Sequence, residues 1–154
     1  MKRFFSSLVA ALLLCAGLAS ARPSGNGGFG VGLIVGAPTG LSIKSWLGPH
    51  RAIDAAAAWT TSGHDNSLYL HADMLIQRPN ALHLDTAWLD WHYGLGVAMS
   101  FKDETETRLR IPIGLDYSLT SIPLEFFGEI VPAVLLTPDS GFDIDGGIGV
   151  RLFF

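Results

Sequence analysis

Hydrophobic residues recur at every second position over much of this chain. The clearest run is 108–119. Leu109, Ile111, Ile113, Leu115, Tyr117 and Leu119 share one face, and Arg108, Arg110, Pro112, Gly114, Asp116 and Ser118 share the other. A period of two sends alternate side chains to opposite faces of a strand. The pattern returns at 68–76, 91–101, 124–136 and 144–154, and more weakly at 29–36, 41–47 and 52–61. Eight strands are predicted. The links between them carry turn residues, as in Ala37-Pro38-Thr39-Gly40, Gly48-Pro49-His50-Arg51 and Pro138-Asp139-Ser140-Gly141. The link at about 78–86 reads as longer. Short links between consecutive strands imply antiparallel hairpins in an up-and-down meander.

The two faces differ in kind. One is almost wholly large and apolar. The other mixes charge of both signs (Lys44, Asp54, Asp73, Arg108, Arg110, Asp116, Glu125, Glu129, Asp145 and Arg151) with small residues such as Gly30, Gly32, Ala56, Ala58, Gly94, Gly96, Gly114, Gly147 and Gly149. An eight-stranded barrel has an interior only wide enough for side chains. Glycine on its inner face leaves room for long charged side chains to cross and pair. The apolar face then meets lipid, and the meander must close, because unpaired backbone groups in hydrocarbon cost several kcal/mol each. The expected fold is therefore all-β, an eight-stranded antiparallel up-and-down transmembrane β-barrel over 29–154. Aromatic residues near the strand ends, including Phe29, Trp59, Trp88, Trp91, Tyr93, Phe101 and Tyr117, suit interfacial girdles, whereas Trp46 has the option of facing inward.

Composition sharpens this picture at the N-terminus. Lys2 and Arg3 precede an apolar run from Leu8 to Ala19, and Ala19-Ser20-Ala21 is a small-x-small cleavage site. Residues 1–21 read as a secretory signal peptide and 22–28 as a flexible lead-in. Removing 21 of 154 residues leaves 133. It takes away two of the ten basic residues, so eight face fourteen acids and the net charge becomes −6. An acidic chain gives no support to nucleic-acid binding. The one cysteine, Cys15, goes with the signal, so no disulfide, thiol nucleophile or cysteine metal site is expected. The remaining 133 residues contain no window of 18 consecutive apolar residues, as a membrane helix would need.

Candidate chemistry is sparse. The inward charges are expected to form a paired network that plugs the lumen, with pairing among Glu125, Glu129, Arg108, Arg110 and Arg151 the most specific expectation. The alternative for the same residues is a pore lining or a proton path. His71, Asp73 and His92 sit inward on adjacent strands but lack a matched metal-ligand spacing. Serine hydrolysis would need Ser, His and a carboxylate in reach; His64 and Ser67 are three apart at a loop edge. Asp139, Asp143 and Asp145 lack the spacing and terminal Glu of a calcium-binding EF-hand loop. No catalytic, cofactor or metal residue is assigned, and no cofactor is expected.

With the cleavable signal, eight alternating segments and the ending Gly147-Ile148-Gly149-Val150-Arg151-Leu152-Phe153-Phe154 in view, the chain resembles the small eight-stranded bacterial outer-membrane β-barrels of the OmpA-transmembrane-domain or OmpX type. The resemblance implies export to the bacterial outer membrane. It also implies insertion by the barrel-assembly machinery with periplasmic chaperones, and a monomer surrounded by lipid. Ile148, Val150, Leu152 and Phe154 resemble the alternating C-terminal signal which that machinery reads. Short outer loops depart from the OmpX type, and no OmpA-like peptidoglycan-binding domain follows. The expected role is structural or surface-interacting and not enzymatic. A narrow channel, a lipocalin-like periplasmic carrier and, more distantly, a lipid A-modifying outer-membrane enzyme are the alternatives.

Overall fold

A computed structural model describes residues 28–37, 39–62, 65–85, 87–102 and 104–154. The proposed signal segment and residues 22–27 of the lead-in lie outside the described residues. The described chain is all-β, in nine strands: β1 (Phe29–Ala37), β2 (Gly40–Gly48), β3 (Arg51–Ser62), β4 (Asp65–Leu84), β5 (Ala87–Phe101), β6 (Thr105–Arg110), β7 (Ile113–Ser118), β8 (Leu124–Thr137) and β9 (Gly141–Phe153). Apart from β6 and β7, which do not pair with each other, consecutive strands pair antiparallel, and β9 returns to pair with β1. Both β6 and β7 lie between β5 and β8, so the nine strands form a barrel-like ring of eight. Among the described residues no helix is long and apolar enough to cross a membrane.

The register fixes the tilt of the ring. Paired residues lead from Gly32 through Ser42, Ala56, His71, Ala98, Arg108 and Leu135 to Gly141 on β9. The β9 residue opposite Gly32 is Arg151, ten residues further on. A stagger of ten over eight strands tilts them by roughly 40° from the ring axis, within the range of closed sheets.

Two expectations from the pattern need correction. The predicted unbroken strand over 108–119 is divided at Ile111-Pro112. Pro112 has no N–H for the ladder. The surrounding groups still pair: Ile111 N donates to Pro132 O at 2.9 Å, and Gly94 N donates to Pro112 O at 2.9 Å. The stretch taken as a long link at 78–86 is mostly strand. β4 outruns β3, whose last rung is Arg51 with Ile76, and forms a projecting hairpin with β5. Pro79 is tolerated there because β3 no longer needs its N–H. The ladder shifts between Arg78 and Leu82, where Asn80 takes a left-handed φ of 54°. Asp90 accepts from Asn80 N at 2.8 Å and from Gln77 Nε2 at 3.0 Å, and His83 stacks on Trp88 at 4.2 Å.

The ring has two unlike ends. Phe154 and Phe29 meet at one end through reciprocal backbone hydrogen bonds. There Phe153 turns inward and is fully buried with Trp46, Ala52 and Leu75. At the opposite, far end, β1 and β2 stop early. Their last rungs are Ala37 with Gly146 and Gly40 with Ala58, whereas β9 continues to Gly141 and β3 to Ser62.

Candidate functional site: the charged lumen

The polar face of the strands is the inner face. Lys44, Arg110, Asp116 and Glu125 are fully buried, and Asp54, Asp73, Glu129 and Arg151 are buried beside them. Arg108 and Asp145 are half-buried at the far-end rim. The other face carries exposed Leu33, Ile43, Met74, Leu95, Ile130, Phe142 and Ile148, and comparable residues on the other strands except β6, where Leu109 is half-buried. Apolar side chains are thus outside and ions inside, the reverse of a soluble domain.

The ions sort into three groups. Nearest Phe154, Arg151 reaches Asp54 and Glu125, the latter at 3.2 Å, while its Nε donates to Ser42 Oγ at 3.0 Å. Its guanidinium lies 3.7 Å from the centroid of the Phe127 ring. Lys44 donates to Glu125 at 3.1 Å and to Gln77 Oε1 at 2.9 Å, and lies 3.5 Å from Asp116. Its ammonium sits 4.8 Å above Trp46, which does face inward. His92 Nδ1 meets Asp116 at 2.6 Å, with Nε2 3.7 Å from Glu129.

In the middle group, Arg110 grips Asp73 through Nε and Nη2 at 3.1 Å each. It also donates to the Tyr69 hydroxyl at 2.6 Å and lies 3.6 Å from Glu129. His71 Nε2 is 3.8 Å from Asp73. At the far-end rim Arg108 gathers Glu106 at 3.0 Å, Asp143 at 3.1 Å and Asp145 at 3.5 Å. The bidentate Arg110–Asp73 contact is of the strong, orientation-specific kind, whereas Arg108 meets each of its acids through a single nitrogen.

Pairing on the last strands is partly that expected from the pattern. Arg151 meets Glu125 and Arg110 meets Glu129. Arg108 takes neither glutamate and binds the rim acids instead. Gln77 and Tyr69 join the network without any signal in the pattern, and Ser42, an inward serine by the alternation, accepts from Arg151. His71, Asp73 and His92 do not converge: each imidazole faces its own carboxylate. Among the described residues no three His, Cys, Asp or Glu side chains cluster as metal ligands. The small inner-face residues stand where ions cross. A Cβ on Gly96 would overlap Asp73 Oδ1, and one on Gly114 would come within 2.5 Å of the His92 ring.

The C-terminal residues Ile148, Val150 and Leu152 alternate outward along β9. Ile148 is 69% exposed, and Phe154 follows the strand, paired with Phe29. No family model, curated protein or solved structure matches the chain.

Proposed function

We propose that this protein is an integral outer-membrane β-barrel whose lumen is plugged by ion pairs and whose role is structural or surface-interacting. The observation that carries the reading is its inverted polarity. A closed ring with large apolar side chains exposed all around, and with paired charges inside, suits a hydrocarbon solvent. A soluble carrier would place its oily stripe inside and has no reason to bury Lys44, Arg110 and Arg151. The resemblance of the C-terminal row to an assembly signal agrees with this location, as does the export reading of residues 1–21. Cross-linking of the lumen by Arg151, Lys44 and Arg110, with Trp46 and Phe153 across one end, supports a plug over a channel. The protein is read as a monomer surrounded by lipid, inserted with the help of the assembly machinery and periplasmic chaperones.

The experiment is outer-membrane fractionation followed by gels run on unheated and boiled samples. The protein is expected in the outer-membrane fraction, with the unheated form migrating differently from the boiled one. A protein found free in the periplasm, with one mobility under both conditions, overturns the proposal.

A further inference from the structure

The early stop of β1 and β2 opens a notch in the wall at the far end. Beyond Ala58 the β3 strand has no rung on its β2 side, and before Gly146 the β9 strand has none on its β1 side. Four to five residues of each flanking strand rise past the short hairpin, roughly 13–16 Å. The hairpin is held low by Thr39, whose Oγ1 accepts from Gly36 N at 3.1 Å and donates to Gly36 O at 3.0 Å.

Behind the notch lies a cavity of about 360 Å³. That is at the small end of the range for ligand sites. Thr39, Ser67, Tyr69, Ser100, Arg108 and Asp145 line it, and Trp59 stands at the doorway with its ring more than half exposed. Below it, Arg110 reaches past Gly96 to Asp73 and Tyr69 on β4 and toward Glu129 on β8, so that side chains from β4 to β8 fill the lumen there. The cavity therefore opens outward and sideways but not toward the Phe154 end.

The lining selects a chemical class. Its charges are already engaged: Arg108 and Asp145 pair at 3.5 Å, Arg108 also holds Glu106 and Asp143, and Lys102, also on the lining, lies 3.7 Å from Glu106. An ionic ligand would have to break these pairs. What remains free is hydroxyl chemistry. Ser67 and Ser100 each donate and accept, whereas the Thr39 proton is spent on Gly36 O and its oxygen keeps only acceptor capacity. Tyr69 accepts from Arg110, which leaves its own phenolic proton to give. Arg108 Nε is a buried donor with no acceptor among the described residues. Trp59 adds an amphipathic aromatic face at the entrance.

We propose that this vestibule binds a saccharide, with the notch as its side door. The sugar has two sources of the same chemistry, a free saccharide or the headgroup of a glycolipid whose chain leaves past Trp59. The glycolipid source rests on the membrane reading above. The saccharide site itself does not.

The test uses the folded protein in phosphocholine micelles, with its four tryptophan indoles followed by NMR. Octyl glucoside is expected to move the Trp59 signal saturably and to leave Trp88 and Trp91 in place. Methyl glucoside giving the same shift assigns the site to free saccharides; a shift with octyl glucoside alone assigns it to glycolipids. Ser100→Leu fills the cavity and is expected to abolish the shift, while an unchanged difference in mobility between unheated and boiled samples shows that the ring is intact. An unmoved Trp59 signal overturns the proposal, as does an equal response to octyl phosphate or octylammonium, or a shift that survives Ser100→Leu. Should the protein instead be soluble without detergent, the membrane reading fails, and methyl glucoside in plain buffer tests the vestibule alone.

Discussion

Arg151 and Arg108 sit on the same face of neighbouring parts of one ring, and both hold more than one carboxylate. Their surroundings differ. Arg151 is 1% exposed, enclosed by Asp54, Glu125, Ser42 and Phe127. Arg108 stands at the rim among Glu106, Asp143 and Asp145, and the Asp143 side chain is 54% exposed. A buried charge has no water to return to if its partner is lost, whereas a rim charge does. The same ion pair is thus a fixed strut at the Phe154 end and an adjustable contact at the far end. That contrast agrees with a molecule sealed at one end by Trp46 and Phe153 and open at the other.

The largest test of the contrast is Arg151→Ala. It strands Glu125 and Asp54 in the lumen and removes the cation from the Phe127 face. Breaking a buried pair by removing one partner costs about 3–5 kcal/mol. Urea unfolding in detergent micelles is expected to show a loss of that size, with the unheated gel form weakened. A loss below about 1 kcal/mol would place Arg151 in a wetter setting than its burial implies.

Gly114→Val comes next. Its Cβ would press on both the Gly128 carbonyl oxygen and the His92 ring, so the β7–β8 backbone must shift and the contact of His92 with Asp116 must loosen. Overpacking of this kind costs about 1–3 kcal/mol. Gly48→Ala is the control, since nothing lies within 4 Å of a Cβ there. Equal unfolding midpoints for the two variants would remove the argument that inner glycines make room for ions.

Much of the ring is legible in the sequence, because a period of two survives wherever one face is oily and the other is not. Leu109 to Tyr117 and Leu124 to Val134 declare their faces by pattern alone. The partners are less legible. Arg108 and Arg110 are two residues apart on one face, yet Arg110 reaches over Gly96 to Asp73, two strands away on the same rung, and Arg108 stays with the rim acids. Which carboxylate each meets depends on the ten-residue stagger, and that depends on how every hairpin registers. Gln77 escapes notice for a local reason. It adjoins Arg78-Pro79-Asn80, whose proline and turn-forming asparagine read as a link. The strand survives them because β3 has already ended beside it. Ile76 is the last residue of the outward row, and the pattern stops there although the strand does not.

Arg108→Ala is the smallest of the changes and the sharpest for the comparison. It releases Glu106, Asp143 and Asp145 into a region that water reaches, so the carboxylates can rehydrate. Partly exposed pairs contribute about 1 kcal/mol or less, and their contribution is screened by salt. The expected result is a loss of unfolding free energy under about 1 kcal/mol in ~0.05 M salt that shrinks further at ~1 M, where the Debye length is about 3 Å. The Arg151→Ala loss, by contrast, is expected to hold across the same salt range, because screening ions do not enter the packed lumen. Should the two variants respond alike to salt, the two ends share one dielectric environment, and the division into a sealed end and an open end fails.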